Sequence, residues 1–154
     1  LLTHPVLRPR LFPSISLSAS PRRQPVLIGG REFAVLADAM EPELRPLPAR
    51  IARLAEVARA ALPAEGAVVV DGAAGIGLPA LALLAGAPGL ARIIAHEADL
   101  PRAAHLAGNI AEHAGSRGTA VADVLPALTA LDLPRLDLLR LEDAARIEAD
   151  APQL

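Results

Sequence analysis

Residues 68–81 read VVVDGAAGIGLPAL: three valines closed by an acid, a turn of glycine and alanine, then an apolar helix-forming segment. β-Branched residues favour a buried, pleated strand. The small residues after them allow positive φ angles and a close approach of the backbone to a ligand. A strand that runs through glycine straight into a helix is the opening of a βαβ unit, so the fold depends on whether the unit recurs.

It recurs downstream. The apolar pattern predicts a strand over 67–70, a helix over 78–84 and a strand over 91–95. It continues with a helix over 101–114 that carries Pro101 in its first turn, a strand over 119–122, a short helix over 125–131 and a strand over 136–141. Alternation of this kind implies right-handed crossovers and a mostly parallel sheet covered on both faces, a three-layer α/β fold. Upstream, Ile51, Leu54, Ala55, Ala58, Ala61 and Leu62 recur at helical spacing, with Arg50, Arg53, Glu56 and Arg59 largely on the other side. Pro63 and Gly66 end that helix. Val26-Leu27-Ile28, Gly29-Gly30 and residues 32–36 predict a β-hairpin with a primed turn, placed as an N-terminal appendage. Closely spaced prolines argue against fixed structure over 1–24. The expected organisation is a leader, 1–24, and one domain, 25–154, divided into hairpin and linker (25–47) and βα core (48–154). No internal repeat of fixed period occurs.

Composition narrows the functions. The 154 residues suit one domain, and 53% are hydrophobic, mostly aliphatic, with two Phe and neither Trp nor Tyr. Aromatic platforms for stacking bases are therefore missing. A formal net charge of −2 without a basic block gives no footprint for nucleic acid. The absence of cysteine excludes disulfides and thiolate metal sites. His4, His96, His105 and His113 form no metal set, because His105 and His113 would lie about 12 Å apart along one helix. No apolar run reaches the roughly 18 residues of a membrane helix, so the reading is a soluble protein, cytoplasmic by default. The leader, rich in Pro, Ser and Arg, has the composition of a transit peptide, a disordered segment or an out-of-frame translation.

The turn after Asp71 can be weighed against known loops. A phosphate-binding P-loop needs Lys and Ser or Thr after its last glycine, where this chain has Leu78 and Pro79. A dinucleotide loop can be read in Gly75-Ile76-Gly77-Leu78-Pro79-Ala80, but the dehydrogenases with a similar turn depend on a tyrosine that the chain lacks. A loop for S-adenosylmethionine has the form D-x-G-x-G-x-G, which residues 71–77 match with Ala73 in place of the first glycine. A carboxylate at Asp71 suits the ammonium and sulfonium of that ligand. A strand-to-helix connection holding no ligand remains the bland alternative. Glu97, 26 positions after Asp71, stands near the roughly 20-residue spacing of a ribose-binding acid, with a solvated strand-end glutamate as the alternative. Asp99 fits better as the cap of the helix at Pro101.

Taken together, these stretches resemble the FkbM-type S-adenosylmethionine-dependent methyltransferases, a branch of the class I Rossmann-like methyltransferases. VVVDGAAGIGLPALALLAG is similar to that family's strand and D-x-G-A-N-I-G turn. IIAHEADLPRAAHLAGNIAEHAG is similar to its F-E-P-D-P segment and the following helix, and LDLLRLEDA to its D-L-L-K-I-D-V-E-G strand. The likeness spans residues 26–147. Within it, Ala73 replaces a glycine, Gly75 an Asn and His96 an aromatic residue. Glu142 stands at the family's Asp, and Ala144 and Ala145 at its Glu and Gly.

The resemblance implies a Rossmann-like methyltransferase sheet, incomplete at the C-terminus, with S-adenosyl-L-methionine as cofactor. It implies contacts from Asp71, Ala73, Gly75, Gly77 and Glu97, and from Asp123 to the adenine amino group. Asp123 could equally cap the next helix. The implied reaction is O-methyl transfer to a small-molecule or sugar-like acceptor, and no catalytic residue or metal is assigned. A non-catalytic or truncated Rossmann-like module that binds a nucleotide, or a partner protein through its open sheet edge, is the rival reading; self-association through that edge is a further expectation. A nicotinamide-dependent oxidoreductase is the third. Asp137 and Glu142 flank the last strand and are expected as surface charge, as are Arg102 and Arg140.

Overall fold

The computed structural model describes residues 21–38, 41, 44, 46–123, 126 and 128–141. The sequence expectations for 1–20 and for Glu142, Ala144 and Ala145 lie outside these residues.

Two sheets form. Strands β1 (Arg22–Ile28) and β2 (Arg31–Ala37) pair antiparallel around Gly29 and Gly30. Their φ angles of 59° and 84° are the positive values a primed turn requires. The second sheet is parallel throughout, in the order β5-β4-β3-β6. It consists of β3 (Val68–Asp71), β4 (Arg92–Glu97), β5 (Gly118–Ala122) and β6 (Leu138–Arg140). The connections hold helices α1 (Ala49–Ala61), α2 (Leu78–Gly86) and α3 (Leu100–His113), with short 3₁₀ turns at Gly115–Arg117 and Leu128–Leu131. The fold is α/β, a mostly parallel sheet with an N-terminal hairpin, as the alternating pattern predicts.

Two expectations are corrected. β1 begins at Arg22, inside the stretch expected to lack fixed structure, because a proline does not interrupt this strand. Pro25 lies opposite Ala34, and the Ala34 carbonyl points away from β1, accepting from His113 Nε2 at 2.9 Å. Residue 25 therefore occupies a pair without ladder hydrogen bonds, where a missing N–H costs nothing. Nor is the hairpin an appendage. Its inner face, Ile28, Phe33, Val35 and Ala37, is almost fully buried in one cluster with Ile51 and Ala55 of α1 and Leu106 and Ile110 of α3. Burial of Ile28, Phe33 and Val35 contributes about 1.5–3 kcal/mol each.

Helix α2 is apolar all round and buried all round except at Ala85. Gly86 lets it meet α1: a Cβ there would lie 2.1 Å from the Ala55 carbonyl oxygen. Among the described residues no helix is long and apolar enough to cross a membrane. Helix α3 starts at an Asp99 cap, whose carboxylate accepts from the Arg102 amide at 3.2 Å, the role its position before Pro101 predicts.

Helix α3 also seals the outer edge of β2. His105 Nε2 stands 3.6 Å from Asp38 Oδ1. Asn109 pairs with both backbone groups of Leu36, accepting its N–H at 2.7 Å and donating to its carbonyl at 3.0 Å. His113 reaches the Ala34 carbonyl as described. Four helical residues rise about 6 Å and two strand residues about 6.8 Å, so residues 105, 109 and 113 meet 38, 36 and 34 in step.

Candidate functional site

In a parallel sheet the loops that open into helices gather at the carboxyl ends of the strands, which is where open α/β folds bind ligands. Registers here bring those ends level: Asp71 lies beside Ala95 and Arg140, and Glu97 beside Ala122. The turn after Asp71 is held from both neighbouring strands. The Gly72 amide donates to the Arg140 carbonyl at 2.8 Å, the Ala74 amide to the His96 carbonyl at 2.8 Å, and the Gly77 amide to the Ala74 carbonyl at 2.8 Å.

The expected site residues fall into two groups. Asp71, Gly75 and Gly77 are buried and shape the turn. Gly75 and Gly77 have φ angles of 57° and 110°, which side chains rarely adopt. A Cβ on Gly77 would also stand 3.2 Å from Leu106 Cδ1. Ala73, the departure from the glycine pattern, has no positive φ, so its methyl group is compatible with the turn. Ala73, Glu97 and Asp123 form the second group, half-buried or exposed at the strand ends. Glu97 Oε1 accepts from the Asp99 amide at 2.8 Å, and Oε2 bonds to no described residue. Asp123 follows β5 with φ 68°, a left-handed conformation that aspartate adopts more readily than most residues. The start of the helix expected over 125–131 lies outside the described residues.

Arg140 is not a surface residue. Its Nη1 donates to Asp71 Oδ1 at 2.6 Å and to the Ala73 carbonyl at 2.9 Å, and its side chain is 12% exposed while that of Asp71 is 0%. Asp71 Oδ1 also accepts from the Ala73 amide at 3.2 Å. The carboxylate thus organises the turn, and its charge is balanced within the protein. Arg102, the other expected surface residue, is partly exposed and pairs with Glu41 at 3.2 Å.

Two further residues act here without a motif to announce them, and a third acts at the opposite end of the sheet. His96 is buried, with Nδ1 3.2 Å from the Gly72 carbonyl and Nε2 3.0 Å from the Asp123 carbonyl. Asn109 donates its remaining N–H to the Ile76 carbonyl at 2.8 Å, joining the glycine turn to the hairpin. Asp137 closes the far end of the β3–β6 pair: its Oδ2 accepts from the Val68 amide, and its own amide donates to the Val68 carbonyl, each at 2.8 Å. The Arg135 guanidinium first, and the Val68 amide second, hold the Asp137 carboxyl below the usual carboxylate range. A charged residue inside or beside a short apolar strand is the available sequence signal for Arg140 and Asp137, since burial there demands a partner. Among the described residues no group of three or more His, Cys, Asp or Glu could hold a metal ion.

No protein-family model matches the chain, and no curated protein matches it. Several solved structures do. A provisionally assigned transferase of Pyrococcus horikoshii is 19% identical, with 86% of this chain and 48% of that one covered and a TM-score of 0.56. P. horikoshii TYW2, solved in complex with MeSAdo, is 25% identical, with 75% and 39% covered and a TM-score of 0.50. Precorrin-6y C5,15-methyltransferase of Geobacter metallireducens GS-15 is 18% identical, with 66% and 56% covered and a TM-score of 0.47. The chain spans 39% to 56% of the length of these structures. Its sheet order and glycine turn are those of a Rossmann-like α/β domain.

Proposed function

We propose that this chain binds S-adenosylmethionine across the carboxyl ends of β3, β4 and β5 and serves S-adenosylmethionine-dependent methyl transfer. The observation that carries the reading is the alignment of Ala73, Glu97 and Asp123 at the carboxyl ends of three neighbouring strands, beside a turn braced by Asp71 and Arg140. The donor chemistry fits: carboxylates accept from hydroxyl and amino groups, and would repel the pyrophosphate of a dinucleotide. Support for the cofactor also comes from TYW2, whose structure holds MeSAdo.

In this reading Glu97 accepts from the ribose hydroxyls, Asp123 from the adenine amino group, and the backbone at Ala73 lies along the ligand. Asp71 acts through the turn. S-adenosylmethionine, once bound, supplies a methyl group on a positively charged sulfur. The chain's contribution is orientation, and holding reactants in line can supply much of a rate enhancement. The FkbM-type resemblance favours O-methyl transfer to a small-molecule or sugar-like acceptor, and the net charge of −2 disfavours nucleic acid.

Titration calorimetry with S-adenosylhomocysteine tests the site. Glu97→Ala is expected to weaken binding about tenfold or more, as loss of a charged hydrogen-bonding partner does, with the melting temperature unchanged. Wild-type affinity in that variant would overturn the assignment. A module that binds the cofactor without catalysis is the second reading, favoured because Asp71, His96 and Arg140 are all engaged in bracing the turn. A radiolabelled methyl-transfer assay separates the two.

A further inference from the structure

We infer that Asn109 is a positioning residue of the proposed cofactor site: its side-chain amide, fixed by β2, sets the orientation of the Ile76–Gly77 peptide in the glycine turn. Asn109 lies on α3, 33 positions after Ile76, and is 0% exposed. Its Oδ1 accepts from the Leu36 amide at 2.7 Å, and its Nδ2 donates to the Leu36 carbonyl at 3.0 Å and to the Ile76 carbonyl at 2.8 Å. Backbone N–H groups only donate and carbonyl oxygens only accept, so one orientation of the side-chain amide satisfies all three. The two bonds to Leu36 hold Asn109 in that orientation and aim its remaining N–H at the turn.

The turn needs such a hold. Gly75 and Gly77 stand at φ 57° and 110°, and glycine adopts other φ values as readily, so local conformational preference does not fix the peptide between Ile76 and Gly77. The first half of the turn is tied to neighbouring strands, by the Gly72 amide to the Arg140 carbonyl and the Ala74 amide to the His96 carbonyl, each at 2.8 Å. The second half closes on itself, through the Gly77 amide to the Ala74 carbonyl at 2.8 Å. Asn109 ties down the opposite end of the Ile76–Gly77 peptide, at the Ile76 carbonyl, so that both of its polar groups are engaged. Gly77 opens α2, and the backbone of this turn is the surface along which the proposed cofactor lies. A rotated peptide therefore changes the shape of the site without unfolding the chain, and a site populated only in part binds more weakly by that fraction.

The inference rests on the cofactor reading, and three measurements on the full chain keep them apart. Magnetic resonance spectra of the wild type are expected to show scalar coupling across the hydrogen bond from Asn109 Nδ2 to the Ile76 carbonyl carbon; its absence overturns the inference, whether or not any variant folds. Hydrogen exchange then compares the amides of Gly72, Ala74 and Gly77 in the wild type and in Asn109→Ala. A general loss of stability speeds all three alike. Loss of a positioning bond speeds Gly77 about tenfold more than Gly72 and Ala74, and equal acceleration of the three overturns the inference. Calorimetry with S-adenosylhomocysteine, well below the melting temperature of Asn109→Ala, is expected to show binding about tenfold weaker than in the wild type. Wild-type affinity in that variant would remove Asn109 from the site. If S-adenosylhomocysteine fails to bind the wild type, the cofactor reading falls, and the coupling and the exchange pattern still decide whether Asn109 orients the peptide.

Discussion

The pairing of Asp71 with Arg140 shows how one residue can be conspicuous in a sequence and its partner invisible. Both charges are withdrawn from water, at a desolvation cost that the partner and the backbone bonds help to offset. Arg140→Met is therefore expected to lower unfolding free energy by about 3–5 kcal/mol, because it takes the paired cation away from a buried carboxylate. Asp71→Asn in the same chain should recover a large part, and denaturant melts of the single and double variants measure both. Gly77→Ala meets strain at φ 110° and is expected to cost about 1–3 kcal/mol by the same assay. The glycine turn at Gly75 and Gly77 and the strand-end positions of Asp71 and Glu97 were legible, because residue type and spacing along one segment state them. Arg140 was not, since it acts across 69 positions of sequence, and nothing in a local pattern records which strand lies beside which. His96 stood out only as a departure from an aromatic pattern; its contacts with the Gly72 and Asp123 carbonyls appear once β3, β4 and β5 are side by side.

Among the elements, α3 has the most varied duties. Its apolar residues Leu106 and Ile110 enter the core, its Asp99 cap sets its start, and His105, Asn109 and His113 form a polar stripe along β2. Asn109→Ala removes three hydrogen bonds, one buried and two part-buried, and leaves the Leu36 N–H and the Leu36 and Ile76 carbonyls without them. The expected cost is about 3 kcal/mol or more, with faster hydrogen exchange at the Leu36 amide; unchanged exchange there would show that the hairpin holds without the helix. The helix itself was readable from its periodicity. The stripe was not, because eight positions between two histidines exclude a shared metal without indicating what each one meets.

At the scale of the molecule, the alternation of strands and helices sufficed to predict a parallel sheet, and the Gly-Gly pair a hairpin. What alternation leaves out is how the hairpin joins the core, which rests on Phe33, Val35 and the Asn109 contacts. The end of the sheet opposite the proposed site depends on Asp137, whose carboxyl is held below its ordinary range. A depressed carboxylate stabilises above its unfolded value and loses that contribution as pH falls through the lowered one. The stability difference between wild type and Asp137→Asn is thus expected to persist at neutral pH and to vanish toward strong acid, by urea titration at several pH values. The docking of α3 along β2 has a further consequence, in how the protein meets other chains. A free strand edge is a template on which an extended peptide can crystallise into a new strand. On the hairpin, α3 occupies the outward groups of β2, and Pro25 breaks the row of donors on β1. Among the described residues this leaves β5 and β6 as the open borders of the structure, and any strand borrowed from a neighbour would be added there.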